Sequence, residues 1–147
     1  MILSKKTWNT LTYSWGILLT LAGKAVGGVL QLAGYKPKKN IYGTYYEVGD
    51  NWGGFNLGPV SIVNRNPSRH TLEHEFGHSV QNCILGPFMI FAVAIPSAVR
   101  YWYREYQVLK KGKRYSDLPD YDSIWFEGTA TSLGEEHAKY YKKISNQ

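Results

Sequence analysis

Apolar residues in the first 35 positions recur with the spacing of an α-helix. Three polar residues, Thr20, Lys24 and Gln31, fall on the opposite side of the helical wheel. Such an apolar stripe is typical of an amphipathic helix, so residues 1–35 predict one amphipathic N-terminal helix. The apolar positions are Trp15, Leu18, Leu19, Ala22, Ala25, Val26, Val29 and Leu30.

The next segment has the features of β-strands. Residues 41–48 are rich in tyrosine and β-branched side chains, and residues 55–63 resemble a second strand that breaks near Gly58-Pro59. A glycine-rich turn separates the two. Residues 41–63 therefore predict a β-hairpin.

Helices are expected in the second half of the chain. Ser68 has the features of a helix N-cap and the Gly86-Pro87 pair those of a stop, which predicts a helix over residues 69–83. The most apolar stretch, residues 83–99, contains two prolines and is shorter than the ~20 residues that cross a bilayer. It predicts a buried core helix.

These elements predict one mainly helical α+β domain over residues 1–147, with the small hairpin or sheet ahead of the helix that begins after Ser68. The composition agrees, since 44% of the 147 residues are hydrophobic and 15% are aromatic, too many for a disordered chain. The single cysteine, Cys83, excludes an internal disulfide framework and a zinc site built from cysteines. Any metal must therefore be held by histidine, aspartate or glutamate.

The chain carries a formal net charge of +6. Lysines on solvated faces explain such a charge, and attraction to an anionic surface is the alternative. No nucleic-acid-binding signature accompanies the basic clusters, so nucleic acid is not an expected partner. The aromatic and cationic run at residues 100–104 is typical of membrane interfaces, although a helix that packs its aromatic face on the core has the same pattern.

The compartment depends on how the first 35 residues are interpreted. Lys5 and Lys6 precede an apolar run, as in a secretory signal, but Lys24 interrupts the run early and no clean small-residue cleavage pattern follows. A cytoplasmic or membrane-associated location is therefore favoured over secretion. A cleaved signal or a membrane anchor stays open as the alternative.

The run His74-Glu75-Phe76-Gly77-His78 fits the pattern H-E-x-x-H within a predicted helix. Two histidines four residues apart lie on one face of a helix, so both imidazoles can reach the same metal ion. The glutamate lies beside that ion, where its carboxylate can accept a proton from water. A catalytic zinc usually takes three protein ligands. No further histidine follows until His137, which leaves it and seven downstream carboxylates as candidates for the third ligand.

This motif, together with the run Trp125-Phe126-Glu127-Gly128-Thr129-Ala130 about 50 residues later, resembles gluzincin-type zinc metallopeptidases. In that group a glutamate on a second helix completes the zinc site, with a small residue soon after it. The chain is especially similar to small single-domain zincins, and the resemblance implies a minimal zincin-like fold. The matching residues are His74–Gln81, Leu85–Pro87 and Trp125–Gly134.

The resemblance implies one Zn²⁺ per chain, held by His74, His78 and Glu127, with Glu75 as the general base. Glu127 also stands in an apolar context, where an unpaired carboxylate would be costly to bury. Gluzincins often carry an aspartate four residues after the glutamate ligand, where it supports a zinc-bound histidine. This chain has Thr131 at that position, and a hydroxyl orients an imidazole more weakly than a carboxylate does.

Four further residues are candidates for supporting roles. His70, one helical turn before His74, is expected either to support the site from behind a ligand or to lie at the surface. His137, Tyr115 and Tyr121 are candidates for stabilising the oxyanion of the reaction. The sequence does not choose among the three.

The expected function is zinc-dependent hydrolysis of peptide bonds, with a peptide or protein as substrate. Zincins of this general type bind an extended substrate along the edge of a sheet, so the resemblance makes the strand at residues 55–63 the candidate for that edge. An ordinary structural hairpin is the alternative. The small size of the chain predicts a shallow cleft, which a membrane surface or a partner protein would complete. The alternative is a non-catalytic, metal-stabilised module that binds a membrane surface or a protein partner through the aromatic run and the lysines.

Overall fold

Five α-helices and a four-stranded sheet make up the part of the chain that the computed structural model describes, residues 1–40 and 43–145. More residues lie in helices than in strands, which confirms the prediction of a mainly helical α+β fold. The helices are α1 (Lys5–Thr12), α2 (Ile17–Leu32), α3 (Arg69–Leu85), α4 (Ile95–Lys111) and α5 (Trp125–Ser145). The strands are β1 (Lys38–Asn40), β2 (Gly43–Glu47), β3 (Gly54–Leu57) and β4 (Val60–Val63).

The sheet has the strand order β1-β2-β4-β3. Strand β2 pairs with β4 in parallel, and β3 pairs with β4 in antiparallel. The predicted pairing of the hairpin over residues 41–63 is therefore wrong. The chain reverses at Gly58, whose φ of 64° favours glycine, so β3 and β4 form the hairpin and β3 is an edge strand. The predicted strand positions 41 and 42 lie outside the described residues.

The predicted single helix over residues 1–35 is also wrong, because a break separates α1 from α2 and the chain bends there by 87°. At this corner Asn82 of α3 donates from Nδ2 to the carbonyl of Gly16, where a side chain would block the approach. Helix α2 also turns a different side inward than the pattern indicates. Thr20 is fully buried, and most of the predicted apolar positions of α2 are exposed.

Three clusters of buried side chains fill the space between these elements. The first cluster lies between α1, α3 and α5. The second lies between α2, the segment before α4 and α5, and the third lies between α2 and the sheet. Their members are Leu3, Trp8, Phe76, Val80, Cys83 and Leu133; Leu19, Met89, Val93 and Phe126; and Tyr46, Val60 and Ile62.

Helices α3 and α5 cross in close contact at two glycines. A Cβ at Gly77 would lie 1.8 Å from the carbonyl oxygen of Ala130, and one at Gly134 would lie 1.8 Å from the carbonyl oxygen of Glu73. Any larger residue would force the helices apart, because protein interiors have no spare room at such contacts. The crossing holds the motif on α3 against the first turns of α5, where Glu127 lies.

The apolar stretch at residues 83–99 is not the buried helix that its composition predicts. Gly86 adopts a φ of 55° and ends α3, and a 3₁₀ turn (Gly86–Phe88) and a π-helical turn (Ile90–Ala94) then lead into α4. Several of the apolar side chains in this stretch are exposed. Among the described residues, no single helix is long and apolar enough to cross a bilayer, whereas two bent pairs reach that length and composition together: α1 with α2, and Arg69–Phe88 with Ile90–Lys111.

Candidate metal centre

The two histidines of the motif lie one turn apart on α3 and point at the same carboxylate of α5. Nε2 of His74 and Nε2 of His78 are 3.2 Å apart, and each lies 3.2 Å from Oε2 of Glu127. The histidine side chains are largely buried, and Glu127 is completely buried. The fold thus brings together the three residues that the sequence assigns to a metal.

The partners of His74 fix which ring nitrogen carries its proton. Thr131 donates its hydroxyl proton to Oδ2 of Asp122 at 2.8 Å. The Thr131 oxygen therefore accepts from Nδ1–H of His74, also at 2.8 Å. With the proton on Nδ1, Nε2 of the neutral ring presents a lone pair toward Glu127.

His78 is oriented in the same way by Gln81. The Gln81 amide donates from Nε2 to the carbonyl of Phe126 at 2.7 Å. Its Oε1 is left to accept from Nδ1–H of His78, at 2.8 Å. In the neutral ring, Nε2 of His78 then also presents a lone pair to the centre.

Glu127 presents one oxygen to the histidines, while its other oxygen is held from α4. The Ser97 hydroxyl donates to Oε1, which leaves Oε2 for the centre. Burial raises the pKa of the Glu127 carboxyl, but hydrogen bonds with the two histidines and with Ser97 outweigh burial and hold the pKa below its usual range. Glu127 is therefore ionised at neutral pH.

The charge and geometry of the centre suit a cation. Two nitrogen lone pairs and a carboxylate oxygen that face one another at 3.2 Å repel unless a cation or an added proton lies between them. Burial lowers the pKa of His78, but its hydrogen bond with Glu127 and the charge of Glu75 outweigh burial, so that the pKa is raised. The raised pKa means that the surroundings of His78 favour a positive charge. Two imidazoles and one carboxylate, with ligand atoms within 4.8 Å of one another, are a donor set typical of zinc with a position left for water or substrate.

Glu75 lies beside this centre and is buried. Its Oε2 has no hydrogen-bond partner among the described residues. Burial raises the pKa of the Glu75 carboxyl, although the charges of His78 and His74 oppose the rise. The edge strand β3 approaches closely, because a Cβ at Gly54 would lie only 2.8 Å from Oε1 of Glu75.

The centre faces a cleft of about 860 Å³. Residues of strand β3, of the turn before it and of α4 line the cleft. Tyr121 also lines the cleft, with Arg100 and Arg104 each 5.6 Å from the centre of its ring. Burial and the charge of Glu127 raise the pKa of the Tyr121 hydroxyl to about 12, so this hydroxyl stays protonated and can donate.

Two other candidates lie at the rim of the cleft. His70 is exposed, and its Nε2 is 3.9 Å from Oδ2 of Asp122. Tyr115 is exposed as well, and its hydroxyl donates to Glu105. Within the described part of the chain, neither His70 nor Tyr115 is among the residues that form a hydrogen bond with His74, His78 or Glu127.

His137, one of the three candidates for stabilising the oxyanion, lies away from the cleft. Its ring is fully buried, and it is not among the residues that line the cleft. Nε2 of His137 accepts from the backbone N–H of Leu3 at 2.8 Å, and Nδ1–H donates to the carbonyl of Leu133 at 2.7 Å. Both ring nitrogens are therefore occupied in tying the N-terminus to α5.

The sequence did not predict the contacts by which Gln81, Ser97 and Asp122 support the two histidines and Glu127. Gln81 lies three residues after His78 on the same helical face, a spacing that was available as a signal. Ser97 and Asp122 come from α4 and from the 3₁₀ turn Tyr121–Ser123. No local pattern links either of them to the motif.

Comparison of the chain with models of known protein families, with curated proteins and with solved structures found no match. The resemblance to gluzincins therefore stays a prediction from the sequence motifs.

Proposed function

We propose that this protein is a zinc-dependent metallopeptidase of the gluzincin-like type. One observation carries the proposal: a His-His-Glu donor set lies beside a buried carboxyl oxygen that has no hydrogen-bond partner in the described residues, and both face a cleft. This combination offers the metal ligands and the proton acceptor that metal-assisted hydrolysis of a peptide bond requires.

His74, His78 and Glu127 would hold the zinc ion. When bound, zinc supplies a Lewis acid that lowers the pKa of water and polarises the scissile carbonyl. Oε2 of Glu75 accepts the proton of the attacking water and delivers it to the leaving amine. The burial that raises the pKa of Glu75 makes its carboxylate a stronger proton acceptor.

Tyr121 is the group that we assign to the oxyanion. It lines the cleft, and its raised pKa keeps the hydroxyl protonated, so it can donate to the charge that develops on the carbonyl oxygen. The substrate is an extended peptide that adds to the edge strand β3, whose residues line the same cleft.

Cleavage of a peptide library by zinc-loaded protein tests the proposal. The wild-type chain should cleave the library, and Glu75→Gln should bind zinc without cleaving, because an amide cannot accept the proton. The matched control is Glu135→Gln, the same change on α5 at a residue that faces Lys139. Cleavage by zinc-loaded Glu75→Gln would contradict the mechanism. A zinc-loaded wild-type chain that cleaves nothing would favour the non-catalytic module.

A further inference from the structure

The helical segment from Ile90 to Lys111 carries a stripe of apolar and aromatic side chains on its outer side. Its members recur every three or four residues, which is the spacing of one helical face, and Phe91, Trp102 and Leu109 are 72%, 69% and 74% exposed. An exposed apolar surface of this extent marks a site of interaction. We call this stripe the apolar face; it consists of Phe91, Ile95, Val99, Trp102, Tyr106 and Leu109.

Helix α2 presents a second apolar side to the exterior. Its buried residue Leu19 packs with Met89 and Val93, which lie in the segment that leads into α4. Helix α2 is therefore a neighbour of the segment that leads into α4, and both carry exposed apolar side chains. The exposed apolar residues of α2 include Leu18, Leu21, Val29 and Leu32.

The segments that carry these apolar sides also carry the positive charge. Residues 1–40 and 84–114 contain twelve of the 17 Lys and Arg residues but one of the 11 Asp and Glu residues. The remaining residues, which include the motif and α5, have an excess of acidic side chains. Lys110 and Lys111 stand in the last turn of α4, directly after Leu109 of the apolar face.

We propose that the apolar face docks this protein on an anionic lipid bilayer. A helix with one apolar side and basic residues beside it lies in the plane of a membrane surface, where its apolar side chains enter the acyl boundary and its lysines meet anionic headgroups. Trp102 and Tyr106 are side chains of the type enriched at that boundary. The other side of α4 faces the protein, where Ser97 contacts Glu127 and Arg100 contacts Tyr121.

A bilayer suits this surface better than a second copy of the chain does. In a symmetric dimer the same patch of both copies meets itself, which would bring two strongly basic segments together. Like charges at such an interface repel, whereas anionic headgroups attract both the lysines and the arginines.

Docking would also bring the cleft to the membrane. Trp102 belongs to the apolar face and lines the cleft that contains the metal centre. The docking itself requires neither a bound metal nor peptidase activity, so it can be tested separately from the proposed function.

Cosedimentation of the full chain with vesicles of phosphatidylcholine, with and without phosphatidylglycerol, tests the proposal. The wild-type chain should bind the anionic vesicles at least ~10-fold more tightly than the neutral ones, and added salt should weaken this binding. The variant Phe91→Gln/Leu109→Gln should bind at least ~10-fold more weakly. The variant Trp125→Gln/Ile144→Gln also removes two exposed apolar side chains, but outside the apolar face, and should bind like the wild type.

A second pair of variants separates the position of the charges from their number. Lys110→Glu/Lys111→Glu should weaken binding to anionic vesicles by ~10-fold or more, and Lys142→Glu/Lys143→Glu, with the same net charge, should weaken it less. Circular dichroism verifies that each variant is folded. The proposal is overturned if the wild-type chain binds neither vesicle, or if Phe91→Gln/Leu109→Gln binds as the wild type does. A wild-type dimer that this variant converts to monomers would overturn it in favour of a second copy.

Discussion

The hydroxyl of Thr131 donates to Oδ2 of Asp122 at 2.8 Å and accepts from Nδ1–H of His74 at the same distance. Thr131 occupies the position at which gluzincins often carry an aspartate. A hydroxyl alone orients an imidazole weakly, but this one connects the ring to a carboxylate in the turn before α5. In the proposed gluzincin-like site, Asp122 would therefore supply through Thr131 the support that an aspartate at that position gives.

Removal of the Thr131 hydroxyl should weaken metal binding. In Thr131→Val, Nδ1–H of His74 loses its acceptor, and the ring is no longer held with its lone pair toward the centre. We expect the zinc dissociation constant to rise by about tenfold, as is common when a group that supports a metal ligand is removed. Competition with a zinc-binding dye measures this constant.

Thr129→Val is the matched control for this change. Thr129 lies on the same helix, is exposed, and donates its hydroxyl to the carbonyl of Trp125. Its variant should bind zinc as the wild-type chain does. Equal zinc affinities for Thr131→Val and Thr129→Val would show that the connection to Asp122 plays no part in metal binding.

Gly77→Ala should destabilise the fold. The new Cβ would lie 1.8 Å from the carbonyl oxygen of Ala130, so α3 and α5 would have to move apart. We expect the free energy of unfolding, measured by chemical denaturation, to fall by about 3 kcal/mol or more. Gly28→Ala is the control, because nothing lies within 4 Å of a Cβ there, and alanine in a helix should stabilise by roughly 0.5–1 kcal/mol. A loss below about 1 kcal/mol for Gly77→Ala would contradict the importance of this contact.

His137 should make stability depend on pH. Burial lowers the pKa of its imidazole, with a further decrease from the chain's amino terminus and an opposing effect of Glu136. The unfolded chain therefore takes up this proton at higher pH than the folded chain does, so stability is unaffected above about pH 6.5 and falls as the pH drops below it. The free energy of unfolding should therefore be lower at about pH 5.5 than at about pH 7.5, and protonation of His137 should account for part of this loss.

The free energy of unfolding of the wild-type chain and of His137→Gln, both in chelator so that metal release does not contribute, measures this effect. The variant should be less stable at neutral pH, because it disturbs the bonds to Leu3 and Leu133, but its stability should change less on acidification. The same pH dependence in both proteins would contradict the assignment.

The residues of the candidate centre differ in how far the sequence can predict them. His74, Glu75 and His78 lie on one helix, whose geometry fixes how their side chains are spaced. Glu127 was indicated by its apolar context and by the resemblance to gluzincins. Its carboxylate does contact both histidines. Ser97 could not be found in this way, since its hydrogen bond to Glu127 depends on where α4 lies relative to α5, which no local pattern records.

The N-terminal region was predicted less well for a physical reason. An amphipathic pattern identifies an apolar side but not the element that covers it. In α2 the side with Gly23 and Gly27 is buried, and it packs so closely that a Cβ at Gly23 would lie 2.1 Å from the carbonyl oxygen of Leu57. The side with the bulkier apolar residues is exposed. The prediction of the strand pairing was wrong for a similar reason. Turn signals are local, whereas the parallel pair of β2 and β4 joins segments that are not adjacent in the chain.

The metal content of the purified chain, measured by elemental mass spectrometry, tests the central claim most directly. The account predicts about one zinc ion per chain. Zinc should be lost in His78→Ala and Glu127→Ala but retained in His70→Ala, which removes an exposed imidazole from the same helix as His78. A wild-type chain that holds no zinc after reconstitution would contradict the account, and so would a His70→Ala variant that loses zinc as completely as His78→Ala.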